Sequence, residues 1–275
     1  MQRLLTALVC IPIALLAVFR LPGLWFLVGV VLLFELAVLE YIKIGEHWAP
    51  GGVLRSLLLL VPAATFLLAG DLLPTDRAGL EGAFFWLALI LITIGSGTLA
   101  ISARAPIEQG AASIGLLAFG IPYFALPSAS LYRLQVFDPW ILLLLLAIVW
   151  LGDSAAYYVG KTLGRHKLAP RVSPNKTWEG AIANLVAGLI AAAAWSFWRT
   201  GSVNVGIVLL AGLVSCAAQI GDLVESLLKR GAGVKDSGAI LPGHGGMLDR
   251  MDALLFAAPV MWLGLELLGS SRMLP

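Results

Sequence analysis

Between two long apolar runs lies a segment reading Ser226-Leu-Leu-Lys229-Arg230, then Lys235-Asp236, Pro242-Gly-His244-Gly-Gly246 and Asp249-Arg250-Met-Asp252. Carboxylates, cations, a hydroxyl, an imidazole and glycines are concentrated there. Such charges are costly at mid-bilayer unless paired or hydrated, so the cluster reads as a polyanion and metal site at a membrane edge, with chemistry on a lipid headgroup. If 213–229 is helical, Asp222, Glu225, Ser226 and Lys229 follow at i, i+3, i+4 and i+7 and share one face. Oxygen ligands of this kind suit Mg²⁺, which takes one or two carboxylates together with substrate phosphates. The plainer alternative is a self-neutralising helix end, Glu225 pairing with Lys229. Asp249 and Asp252 also share a face. They are either ordinary first-turn acids of the last helix or, within reach of Asp222, part of a carboxylate cage. His244 would orient a phosphate or cap that helix. Gly243, Gly245 and Gly246 let backbone N–H groups approach an anion.

A second polar stretch runs from Gly160 to Gly180 and carries five cations before its first acid, Glu179. A basic loop of this kind ordinarily sets topology and meets anionic headgroups. Ser173, Asn175 and Lys176, just before a helix, also suit phosphate oxygens. Asp153 lies several residues inside the preceding apolar run, a depth at which a carboxylate is a functional candidate.

The elements that position these residues are membrane helices. The chain is 60% hydrophobic and 12% charged, with mean hydropathy +0.94, which excludes an ordinary soluble domain. Nine apolar runs are read at about 4–20, 23–44, 53–70, 83–103, 109–126, 138–160, 179–199, 203–228 and 251–270. The expected architecture is an all-α integral membrane protein, its two cytoplasmic polar loops, 161–178 and 229–250, forming the site. Segment 1–135 would hold about five spans and segment 136–275 the catalytic four. Nine spans put 13 of the 18 Lys and Arg on one side, leaving Arg20, Arg77, Arg133, Arg199 and Arg272 on the other. The positive-inside rule makes the first side cytoplasmic, with the N-terminus and the site there. The first run resembles a signal peptide but lacks a small-residue cleavage site, so it is read as a retained helix. Pro12, Pro62 and Pro122 interrupt apolar runs and predict kinks or breaks. Glu35 and Glu40 are expected to face the cytoplasmic interface. Cys10 and Cys216 fall inside spans, which argues against a disulfide framework or zinc site.

At Ser226, Lys229, Arg230, Lys235, Asp236, His244, Gly245, Gly246, Asp249, Arg250 and Asp252 the sequence resembles the phosphatidate cytidylyltransferase (CDP-diacylglycerol synthase) family. Asp153, the Gly160–Lys167 stretch and Ser173–Gly180 match the family's upstream pattern too. The resemblance covers roughly the second half of the chain. It implies a multi-pass enzyme of a bacterial-type inner membrane that joins CTP and phosphatidate into CDP-diacylglycerol, releasing pyrophosphate, with Mg²⁺ required and a second, monovalent ion left open. The roles expected on this basis place the divalent cation on Asp222 and Asp249, with Asp153 and Asp252 nearby. Lys229, Arg230, Lys235 and Arg250 would neutralise phosphate oxygens. Ser226, Ser173, Asn175, Lys176 and His244 would orient them, with Asp236 on the substrate side. The partners are CTP, phosphatidic acid and membrane lipids, with no nucleic acid; small residues such as Gly95-Ser96-Gly97 permit helix association, so a homo-oligomer stays open. The competing readings are related chemistry on another lipid, a CTP-dependent polyprenol kinase, and a transporter, which ordinarily places its site at mid-membrane between repeats.

Overall fold

A computed structural model describes residues 12–50, 52–69, 94–99, 101, 107–240 and 245–269. Seven helices and one hairpin organise them: α1 (Gly23–Gly45), α2 (Leu57–Ala69), α3 (Gly110–Phe137), α4 (Pro139–Thr162), β1 (Lys167–Ala169), β2 (Ser173–Thr177), α5 (Trp178–Thr200), α6 (Val205–Gly231) and α7 (Leu248–Leu267). Residues 12–20 are helical as well. Among the described residues, five segments are long and apolar enough to cross a membrane: α1, α3 with the short turn before it, α4, α5 and α6. At 1.5 Å per residue, the 23 residues of α5 reach about 34 Å, against a hydrocarbon core of ~30 Å. The protein is a predominantly helical, multi-pass membrane protein. Residues 4–11 of the run expected at 4–20, and most of the run expected at 83–103, lie outside the described residues.

Local chemistry sets the helix ends. Pro139 opens α4 at a position where its missing N–H is not needed, and the Asp138 side chain accepts from Trp140 N at 2.9 Å. Thr177 caps α5 by accepting from Gly180 N at 3.2 Å, and Gly201, at φ 72°, ends it in a left-handed turn. Asn204 accepts from Ile207 N at 3.2 Å at the start of α6. One expectation fails at α3. Its apolar run ends near 126 in the sequence, yet the helix continues through Pro122 and Pro127 to Phe137. A proline removes one donor and one hydrogen bond, and neighbouring apolar packing outweighs that loss in a long helix.

The chain forms two compact units, each drawing on both segments 1–135 and 136–275. The first is built chiefly from Leu21–Tyr132 and Leu228–Met251. In it α1, α2 and α3 meet around Tyr41, whose hydroxyl donates to Leu116 O at 2.9 Å and whose ring lies edge-on to Phe124. The second comprises Ala14–Arg20, Arg133–Leu227 and the chain from Asp252. There α4 and α5 run antiparallel, joined by the β1–β2 hairpin. Gly152 meets Asn184, and Gly180 meets Ala156 O, so close that a Cβ at either would collide. Small residues thus let the two backbones approach, as membrane helices commonly require.

Candidate active site

In the second unit a carboxylate cluster forms on α6 and α7. Ligand oxygens of Asp222, Glu225 and Asp252 lie within 4.8 Å of one another. Glu225 is fully buried, Asp222 and Asp252 half-buried. The helical spacing read from the sequence puts Asp222 and Glu225 on one face of α6. Asp252 comes close because Gly221 has no side chain: a Cβ there would strike Asp252 O. The hairpin delivers a cation to this cluster, Lys176 Nζ lying 2.6 Å from Asp222 Oδ2. The charges of Asp222 and Lys176 reach Asp153, and those of Asp153, Asp222 and Lys176 reach Asp252. Ser226 donates to Asp222 at 3.4 Å. Asp153, Lys176, Asp222, Ser226 and Asp252, taken from four elements, therefore share one site. Ser173 and Asn175 lie on β2 beside Lys176, Asn175 exposed and Ser173 half-buried.

The 161–178 stretch, read as a loop, is an antiparallel hairpin. Its strands are too short to show a period, and β2 carries Pro174. Glu179 closes the hairpin by accepting from His166 N at 3.2 Å and pairing with His166 Nδ1 at 2.7 Å. Trp178 N donates to His166 O at 2.9 Å.

The first unit holds the rest of the signature. Lys229 Nζ lies 2.5 Å from Asp249 Oδ1. Asp249 also accepts from Ser237 N at 3.1 Å and Gly246 N at 2.9 Å. Arg230 donates to Val234 O at 3.2 Å. Lys235, Asp236 and Arg250 are exposed. Asp236 lines a pocket of about 340 Å³ with Lys43, His47 and Ser237. Asp249 and Asp222, expected to share an ion, thus belong to different units, each with a lysine on its carboxylate. His244 lies outside the described residues.

Sequence reasoning missed a buried amide network behind Asp153. Asn184 donates to Asp153 at 3.3 Å and accepts from Ser215 Oγ at 2.5 Å and from Gln219 at 3.2 Å. The signal was present, since Ser215 and Gln219 extend the polar stripe of Asp222, Ser226 and Lys229 inward at spacings of three and four. Nor did it show that Glu40, expected to face the cytoplasmic interface, is fully buried within the protein. Its three hydrogen bonds all come from the far end of the chain.

A model of the cytidylyltransferase family matches residues 1–268. The chain is similar to the phosphatidate cytidylyltransferase of Brucella suis biovar 1 (strain 1330), 37% identical over 241 residues, covering 82% of this chain and 89% of the relative. The phosphatidate cytidylyltransferase of Brucella abortus (strain 2308) is similar to the same extent, at 37% over 241 residues with the same coverage. That of Staphylococcus aureus (strain COL) is 52% identical over 115 residues, 42% of this chain and 44% of the relative.

Proposed function

The chain belongs to the cytidylyltransferase family, and on that premise we propose that it transfers the cytidylyl group of CTP to phosphatidate in phospholipid biosynthesis. The products are CDP-diacylglycerol and pyrophosphate. The observation that carries this reading is the likeness, over most of both chains, to relatives bearing the phosphatidate cytidylyltransferase name. The substrates are CTP and phosphatidate. The site faces the cytoplasm of a bacterial-type inner membrane, because most Lys and Arg would lie on that side.

The chemistry needs no covalent enzyme intermediate. A phosphatidate oxygen attacks the α-phosphorus of CTP, forming one P–O bond as the bond to the leaving pyrophosphate breaks. Two polyanions must approach, and charge builds on the leaving group. Cations would answer both: Lys176, which lies at the carboxylate cluster, Lys229, which Asp249 holds, and, in the roles that the family resemblance implies, Arg230, Lys235 and Arg250. Ser226, Ser173, Asn175 and His244 orient phosphate oxygens, and Asp236 lies on the substrate side. The donor set fits Mg²⁺: three carboxylates on two helices, all hard oxygens, one fully buried. Asp222 would hold the ion with Glu225 and Asp252. Asp249 stays in the proposal as a signature acid, its charge shared with Lys229. Bound there, Mg²⁺ supplies charge neutralisation on the triphosphate. Asn184, with Ser215 and Gln219 behind it, keeps Asp153 oriented toward this group.

The test is purified protein in detergent with phosphatidate, Mg²⁺ and CTP labelled at either the α- or the γ-phosphate. Label from α-labelled CTP should enter the lipid together with the base, with one pyrophosphate released per lipid formed. Transfer of the γ-label alone would make the protein a lipid kinase and overturn the proposal. So would no transfer from either.

A further inference from the structure

Glu40 lies in the last two turns of α1, in the half of the chain that carries no signature residue, with none of its surface exposed. Its carboxylate accepts from Ser237 Oγ at 2.8 Å, Met247 N at 3.1 Å and Leu248 N at 2.9 Å. The last two are amides at the opening of α7, groups that have no partner within their own helix. Glu40 thus caps α7 from another element, where the helix dipole also favours negative charge. Gly238 and Gly246 make room for it, since a Cβ at either would run into the Glu40 carboxylate. Asp249 takes the same segment from its other side, through Ser237 N and Gly246 N, and binds Lys229. All these residues belong to the first unit. Ser237 and Gly246 are therefore held between two carboxylates, one from α1 and one from α7.

We infer that Glu40 is a positioning residue: by fixing Ser237, Gly246 and the start of α7 it holds Asp249, and through it Lys229, in a single geometry. A buried carboxylate is expensive unless its oxygens are satisfied, and one serving only packing would be replaced at little loss by an apolar side chain. Three donors converging on it from Ser237 to Leu248 argue for precision at that segment. Removing the acceptor leaves two buried amides and a hydroxyl unsatisfied at the point where Asp249 is anchored.

The test compares full-length wild type with Glu40→Gln, which keeps the length, and Glu40→Ala, which removes the acceptor, in detergent or nanodiscs. Hydrogen exchange of the peptide spanning 245–249 should quicken by about tenfold or more in both variants, with α3 and α5 unchanged. In Glu40→Gln, kcat for cytidylyl transfer should fall about tenfold, with KM for CTP and phosphatidate within about twofold. Only the kinetic arm rests on the proposed reaction. A wild type that transfers no cytidylyl group would sink that reaction and leave the exchange arm legible. Wild-type exchange at 245–249 in both variants would overturn the inference. Acceleration spread equally over all helices would overturn it too, and so would local loosening with unchanged kcat.

Discussion

Each of the two acids expected from the sequence to hold the cation has a lysine drawn onto it, Lys176 on Asp222 and Lys229 on Asp249. Such pairing would let acidic residues gather at the membrane edge where the proposal puts them, since an isolated charge there is costly. In the proposed reaction the lysines would be placed before any phosphate arrives, leaving little reorganisation for the transition state. Asp222 has the most at stake. It shares the cluster with Glu225 and Asp252, holds Lys176 and accepts from Ser226. Asp222→Asn removes a charge from the proposed donor set and releases Lys176 together. We expect kcat/KM for cytidylyl transfer to drop by about 100-fold or more, with a higher Mg²⁺ requirement. Initial rates across a Mg²⁺ titration read both effects. Near-normal, Mg²⁺-dependent turnover would remove Asp222 from the donor set.

The secondary structure was legible where hydropathy speaks and silent where contacts are long-range. Runs of apolar residues located α1, α2 and α4 to α7, and the spacing of Asp222, Glu225 and Ser226 placed them on one helical face. The hairpin was not legible, because strands of three and five residues are too short to show an alternation. Nor was the partner of Glu40, since bonds to residues about 200 positions away leave no local mark. The close approach of α4 and α5 lies between these cases: glycines at 152, 160 and 180 hint at it, but only the fold shows which backbone each one meets. At Gly180 a Cβ would sit 2.9 Å from Ala156 O and 3.2 Å from Thr177 Oγ1, the atom that caps α5. Neither neighbour is the loose end of a flexible chain. Gly180→Ala should therefore destabilise by about 1–3 kcal/mol through forced separation of the two helices, despite alanine's better helix propensity. Thermal unfolding in detergent would show a lowered midpoint. An unchanged or raised midpoint would mean that α4 and α5 are not in tight contact there.

For the molecule as a whole, the proposed reaction depends on which ends of the helices lie on the cytoplasmic side. Within the second unit the two ends of α5 differ in kind. At Thr200 the helix meets Asp138 through Arg199 at 3.0 Å, with Trp140 and Trp195 against the same guanidinium, and Trp140 edge-on to Trp198. One compensated cation among tryptophans is what a membrane–water interface collects on a side without excess charge. At Trp178 the helix leaves a hairpin region bearing Lys161, Arg165, Lys167, Arg171 and Lys176. A helix of 23 residues is long enough to keep these ends on opposite faces of the bilayer. The retention of short basic loops on the cytoplasmic side then predicts the hairpin inside and the turn at Ser202 outside. The check starts from a chain in which Cys10 and Cys216 are replaced by Ser, to which Arg171→Cys or Ser202→Cys is added; both positions are exposed. In intact cells a membrane-impermeant maleimide should label the Ser202→Cys chain, and the Arg171→Cys chain only after permeabilisation. The opposite pattern would put Lys176 and Asp222 on the face away from cytoplasmic CTP, and the proposed reaction would lose its substrate.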